Sequence, residues 1–198
     1  MSRSILTGAN RLPNDWYDGA IPGNVRYDAS NFIESSYSFR YFRSRSPDAL
    51  TLGRGASIYT NATLDFGLDA RVSIGAFAML NGTKIICDDS ITIGDYCLVS
   101  WNVVLMDNYR VPHCAVKRRS YVDALLNNTD KVVGLQDRPR PIAIEANVWI
   151  WHDTVVLPGV TIGMGAVIGA RSVVFGSIPQ FSVAAGNPAR VLRSLESD

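Results

Sequence analysis

The large aliphatic residues of the C-terminal half fall in steps of six: Ile144, Ile150, Val156, Ile162, Ile168 and Val174. Four places beyond each stands a small or β-branched residue, namely Val148, Thr154, Val160, Ala166, Ser172 and Ile178. An α-helix would space its apolar residues at about 3.6, and a half-buried strand at 2. Six fits neither alone. It fits a short strand and a turn, repeated, so that each large aliphatic points at a shared axis and each strand pairs with the next coil. Glycine after the aliphatic, at Gly163 and Gly169, suits a corner where a side chain is awkward or φ must be positive.

The same step runs less cleanly upstream. Residues 52–56, 58–62 and 64–68 keep it, with Leu52, Ile58 and Leu64 as the large positions and Ala56, Ala62 and Leu68 as the small ones. The register then slips and restarts at Ile74, Ala78, Leu80 and Ile86, and one residue is inserted before Ile93, Cys97, Val99 and Leu105. Cys97 falls at a small inner position, which makes it a core residue. The pattern predicts an all-β solenoid over residues 50–188. A long inserted loop at 107–141 interrupts it, a cap segment over 1–49 precedes it, and a short tail or helix over 189–198 follows. Tyr37, Phe39 and Tyr41 alternate with polar residues and predict a strand in the cap, with Tyr27 and Phe32 available to close the open end of the coil. A last strand is expected at 183–185, before Gly186-Asn187-Pro188.

Composition narrows the function classes. The 198 residues are enough for one sizeable domain, and the 47% hydrophobic content is ordinary for a globular chain. Nineteen basic against eighteen acidic residues leave a net charge of +1, no field for collecting nucleic acid or an anionic membrane. Lys117-Arg118-Arg119 reads as a solvated loop face. No stretch approaches the length of a membrane span, and the N-terminal residues lack the apolar core of a signal peptide. Cys87, Cys97 and Cys114 have neither metal-ligand nor CxxC spacing, so free thiols in the cytoplasm are expected.

The segments RPIAIEANVWI, VVLPGVTIGMGAVIGARSVV and AGNPARVLR resemble the hexapeptide-repeat acyltransferase superfamily. The likeness covers roughly residues 50–195 and is strongest to the galactoside/maltose and polysaccharide-sugar O-acetyltransferase branch. It implies a left-handed parallel β-helix, a hand that the repeat itself does not give, because parallel crossovers are right-handed in about 98% of cases. It also implies a homotrimer with acetyl-CoA in the groove between neighbouring prisms, a small sugar-like acceptor, and no metal.

Acetyl transfer to a hydroxyl needs a base, a donor for the oxyanion, and a groove that holds both substrates. The chain has two histidines, His113 and His152. His113 follows Asn102-Val103-Val104-Leu105 at the distance where the galactoside-type enzymes carry their catalytic histidine, which makes it the candidate general base. Pro112 and Cys114 stand beside it where the family usually has further histidines. Asp107 is a candidate to orient His113, and equally an Asx residue starting the loop. His152 occupies a position that in relatives lies near the reactive end of CoA, and is the substitute base. Asn81 and Asp88 match the residues that hold acceptor hydroxyls in relatives. Trp149 matches the tryptophan beside the pantetheine arm, while the backbone of Gly165, Ala166, Gly169 and Ala170 would pair with its amides. Arg190 and Arg193 would meet the CoA phosphates, and the lysine that relatives often carry within 174–177 is absent. A γ-class carbonic anhydrase would need three histidines for zinc, more than the chain has. A non-catalytic assembly module and an N-acetyltransferase of an amino-sugar nucleotide remain as alternatives.

Overall fold

Each turn of the coil contributes one short strand to each of three parallel sheets. The computed structural model describes residues 11–59, 62–127 and 137–195; residues 1–10 of the expected cap, 128–136 of the insertion and 196–198 of the tail lie outside these. The first face stacks Val25–Arg26, Leu50–Leu52, Arg71–Ile74, Ser90–Ile93, Ile142–Ile144 and Thr161–Ile162. The second stacks Phe32–Ile33, Ser57–Tyr59, Met79–Asn81, Leu98–Val99, Trp149–Ile150, Val167–Ile168 and Ser182–Gly186. The third stacks Thr63–Phe66, Lys84–Cys87, Val104–Met106, Val155–Val156 and Val173–Val174.

One inward ladder runs down each face. On the first it is Leu52, Ile74, Ile93, Ile144, Ile162 and Ile178. On the second it is Ile33, Ile58, Leu80, Val99, Ile150, Ile168 and Ala184. On the third it is Leu64, Ile85, Leu105, Val156 and Val174. All six residues of the C-terminal step, Ile144 through Val174, are buried, as are the six small or β-branched residues between them. A fully buried aliphatic of this size contributes about 1.5–3 kcal/mol, so the ladders carry most of the stability.

The corners show why glycine recurs. A Cβ on Gly163 would lie 2.4 Å from the backbone nitrogen of Gln180 in the next coil, so close stacking, not φ, demands glycine there. Positive φ comes two residues later, at Gly165 (67°) after Gly163 and at Arg171 (57°) after Gly169.

Several expectations change. In the irregular coils the third-face strands are four residues long, so Leu64 and Phe66 both point inward, Ala70 takes the small position and Leu68 is 54% exposed. Likewise Ile85 and Cys87 face the core, and Ile86 is only half-buried. Ser36–Phe39 is a 3-10 turn, not a strand, because the Ser35 hydroxyl accepts from the Tyr37 amide and the Asp15 carboxylate takes Ser36 N–H at 2.8 Å. Phe39, Ile21 and Leu12 join the core at this end, while Phe32 stacks on Tyr59 with ring centroids 4.6 Å apart. Val25–Arg26 and Phe32–Ile33 already pair with the coil. At the other end Ala189–Ser194 is neither tail nor helix but an antiparallel strand that covers the exposed edge of Ser182–Gly186. The insertion carries a helix, Ala115–Leu126. Among the described residues, no helix is long and apolar enough to cross a membrane.

Candidate active site

The insertion is rooted where the third face turns into the first. Asp107, fully buried there, accepts the amides of Asp88 and Asp89 at 2.8 Å each and the Cys87 thiol at 3.3 Å. Burial pushes its carboxyl above the usual range, and burial together with the Asp107 charge pushes the Cys87 thiol up. Asp107 therefore ties down the corner backbone, and orienting His113 falls to another residue. Arg110, at φ 58°, completes the root. Its guanidinium meets Asp88 Oδ1 at 2.8 Å and Asp65 Oδ1 at 2.8 Å, and Asn108 donates to Asp88 Oδ2 at 3.0 Å. Both Asp88 oxygens are thus engaged internally, so Asp88 is not open to an acceptor hydroxyl as the resemblance implies.

His113 stands on the insertion with its side chain 68% exposed. Its Nδ1 lies 2.5 Å from Asp137 Oδ2, and its amide donates to the same oxygen at 3.0 Å. The His113 hydrogen bonds hold the Asp137 carboxyl below the ordinary range. A carboxylate at Nδ1 selects the tautomer with the proton there and leaves Nε2 as the basic atom. Nε2 has no hydrogen-bond partner among the described residues. The Tyr109 ring meets the imidazole edge-on at 4.8 Å, and Arg118 donates to the carbonyls of Pro112 and His113, which fixes the turn. Beside this pair lies a pocket of about 240 Å³, lined by Asn108, Tyr109, His113, Asp137, Arg138 and Arg140 and floored by Pro158. That is below the ~300–1,000 Å³ typical of sites for drug-sized ligands.

The other candidates line the second face. Outward along it run Leu98, Trp149, Val167, Val183 and Arg193 in register, so Trp149 and Arg193 are three strand spacings apart, about 14 Å. Trp149 packs on Trp151 at 5.0 Å between centroids, and Arg190 pairs opposite Ala185 on the last strand. Gly165 sits at one corner of this face and Ala170 just past the other end of Val167–Ile168. Ala166 is wholly buried, its amide bonded to Gly163 and its carbonyl to Trp149 within the coil, so its N–H is not free for a pantetheine amide. His152 is on the same corner as Ala170, with Nδ1 at 3.1 Å from Asp153 Oδ2. Asp153 also accepts from Asn102 at 3.1 Å and has Arg171 at 3.7 Å; these contacts, His152 first, hold its carboxyl low. Asn81 ends the second-face strand Met79–Asn81, across the width of the third face from Asp88.

The structure thus gathers Trp149, His152, Gly165, Ala166, Ala170, Arg190 and Arg193 along one face, and sets His113 and Asp88 at the corner opposite that face. Sequence reasoning missed Asp137, Arg138, Arg140 and Arg110. Asp137 lies 24 residues beyond His113 and follows a helix, so no local spacing signals the contact. Among the described residues, no three His, Cys, Asp or Glu side chains gather to hold a metal ion.

Comparison with known proteins accords with the stacked hexapeptides. Residues 141–176 match the family described as bacterial transferase hexapeptide (six repeats). The galactoside O-acetyltransferase of Escherichia coli (strain K12) is 33% identical over 145 residues, covering 73% of this chain and 64% of that protein, so the matched part spans less than two thirds of its length. A hexapeptide-repeat acetyltransferase from Vibrio cholerae O1 biovar eltor, solved with acetyl-CoA, superposes with a TM-score of 0.60 at 26% identity over 75% of this chain and 72% of that one. A galactoside acetyltransferase solved with coenzyme A gives 0.51 at 28% identity over 87% of this chain and 63% of that one. Residues 141–176 carry the hexapeptide-transferase repeat, and the coil takes the left-handed parallel β-helix fold of the solved acetyltransferases that it resembles.

Proposed function

We propose that this protein transfers the acetyl group of acetyl-CoA to a hydroxyl of a small sugar-like acceptor, with His113 as general base. The observation that carries the reading is the His113–Asp137 pair, 2.5 Å from Nδ1 to Oδ2, at the rim of a small pocket on a hexapeptide β-helix. Relatives named as acetyltransferases, one of them solved with acetyl-CoA, support the class of reaction.

His113 Nε2 takes the hydroxyl proton as the acceptor oxygen attacks the thioester carbonyl carbon. Asp137 steadies the imidazolium that results. Collapse of the tetrahedral adduct breaks the C–S bond, and the imidazolium returns its proton to the departing sulfur. Trp149 and Val167 offer the pantetheine arm an apolar track, and Arg190 and Arg193 at its end offer guanidinium forks to phosphate. Because that track and His113 lie at opposite sides of one prism, a working site needs a second copy, consistent with a homotrimer whose grooves each take halves from two chains. Cys87 and Cys97 are buried free thiols and Cys114 an exposed one, which suits the reducing cytoplasm.

The test is thiol release from acetyl-CoA over a panel of sugars and nucleotide sugars, run on the unaltered protein and on His113→Ala. The proposal expects release that depends on the acceptor and drops about 10²–10⁴-fold in the variant. Full activity in His113→Ala removes His113 from the chemistry and turns attention to His152.

A further inference from the structure

The pocket beside His113 holds more positive charge than proton transfer requires. Arg138 and Arg140 both line it, and neither guanidinium has a carboxylate partner among the described residues. The pocket's one acidic side chain, Asp137, is already engaged by His113. The nearby Asp88 pairs with Arg110, and Asp65 with Arg110 and Arg43. Lys117 is close enough to act on the Asp137 charge, and Arg118 holds the Pro112 and His113 carbonyls. A chain with a net charge of only +1 therefore concentrates cations at this mouth.

The arginines are also set in advance. They alternate with prolines in Arg138-Pro139-Arg140-Pro141, and proline restrains its own φ and favours extended backbone before it. In extended chain, residues two apart project to the same side. Arg140 is pinned at both backbone groups: its amide donates to the Asp107 carbonyl at 2.8 Å, and its carbonyl accepts from Gly159 at 2.9 Å. Gly159 has φ 86°, and a Cβ there would lie 3.3 Å from Arg140 Cβ, so the bare glycine lets the arginine stem lie close across that corner. A fork whose stem is already placed loses little freedom on closing around an anion.

We propose that the acceptor is a singly ringed sugar carrying a negative group, a carboxylate or a phosphate, which Arg138 and Arg140 grip while one of its hydroxyls faces His113 Nε2. The inference rests on the proposed acetyl transfer for the hydroxyl at His113, and on the pocket alone for the anion. Planar guanidinium forks match both anions bidentately, whereas a neutral sugar offers these two arginines no charge to pair with.

Binding measured without acetyl-CoA separates the two claims. Galacturonate, galactose 1-phosphate and galactose are titrated by calorimetry into the full chain, into Arg138→Gln/Arg140→Gln, and into Arg138→Lys/Arg140→Lys. At least one charged sugar is expected to bind on the order of 10- to 100-fold more tightly than galactose. The preference is expected to vanish in the glutamine variant, survive in part in the lysine variant, and shrink as salt rises. The tighter of the two charged sugars identifies the anion. Equal binding of all three sugars, or an undiminished preference in the glutamine variant at unchanged melting temperature, overturns the proposal. In a parallel acetyl-transfer assay of the glutamine variant, a rise confined to the KM for acetyl-CoA overturns it as well, because it would assign the arginines to CoA phosphate. Selective binding of a charged sugar that is never acetylated would uphold the anion pocket and count against the proposed transfer instead.

Discussion

His113 and Asp137 are 24 residues apart and meet because an insertion folds back on its own root, whereas His152 and Asp153 are neighbours on one corner of the regular coil. The first pair is short, at 2.5 Å, is reinforced by the His113 amide on the same oxygen, and opens onto a pocket. The second is 3.1 Å, and its aspartate is shared with Asn102 and Arg171. Asp153, at φ 59°, serves the corner first, as an Asx residue tolerating a left-handed backbone and tying adjacent coils together. Proximity of a carboxylate to an imidazole is thus not enough to mark a base. What separates the pairs is whether the carboxylate is dedicated to its imidazole or shared with other groups.

The largest expected effect follows directly. In parallel assays His113→Ala should lose about 10²–10⁴-fold in kcat, and His152→Ala should stay within about 3-fold, because only the first removes the proposed base. Comparable losses in the two would erase the distinction. Asp137→Asn should cost kcat on the order of 10-fold, less than the ~10⁴ of a buried triad aspartate, since water reaches this pair and can itself support the imidazolium. Its melting temperature should match the parent's.

Two further changes test how the insertion and the coil are held. Arg110→Gln leaves Asp88 without its cation and Asp65 with only the more exposed Arg43, and should cost about 1–3 kcal/mol locally, read as faster amide exchange across 107–141 and lower kcat. Gly163→Ala forces a Cβ toward Gln180 and should cost about 1–3 kcal/mol of global stability by urea unfolding, loosening the last coils, beyond the one that carries His152. Asp107 gives the smallest effect, and its sign is fixed. Its folded pKa is raised by burial, so the folded chain holds this proton to higher pH than the unfolded chain. Its contribution is greatest below about 3.9, the unfolded value, and declines as pH rises through the raised folded value. Asp107→Asn should remove that decline from the pH profile of the urea midpoint.

The coil over 142–178 was legible because its rule is local: one large aliphatic every six residues, and each of them proves buried. Legibility failed where the coil departs from its minimum. Four-residue strands turned Leu68 outward and put Ala70 in its place, and the hydroxyls of Ser35 and Ser36 with the Asp15 carboxylate drew an alternating segment into a 3-10 turn. At the candidate site the family resemblance points to His113, but nothing local points to Asp137 or Arg110, because their partners are set by how the insertion packs on a corner.

In the proposed reaction the base and the CoA track occupy opposite sides of one prism, and a neighbouring copy joins them. Co-expression of two inactive chains, His113→Ala and Arg190→Glu/Arg193→Glu, tests it most directly. Each chain keeps one intact half, so mixed oligomers should recover acceptor-dependent thiol release that neither variant shows alone. Mixed oligomers that form yet stay as inactive as their parents would contradict it.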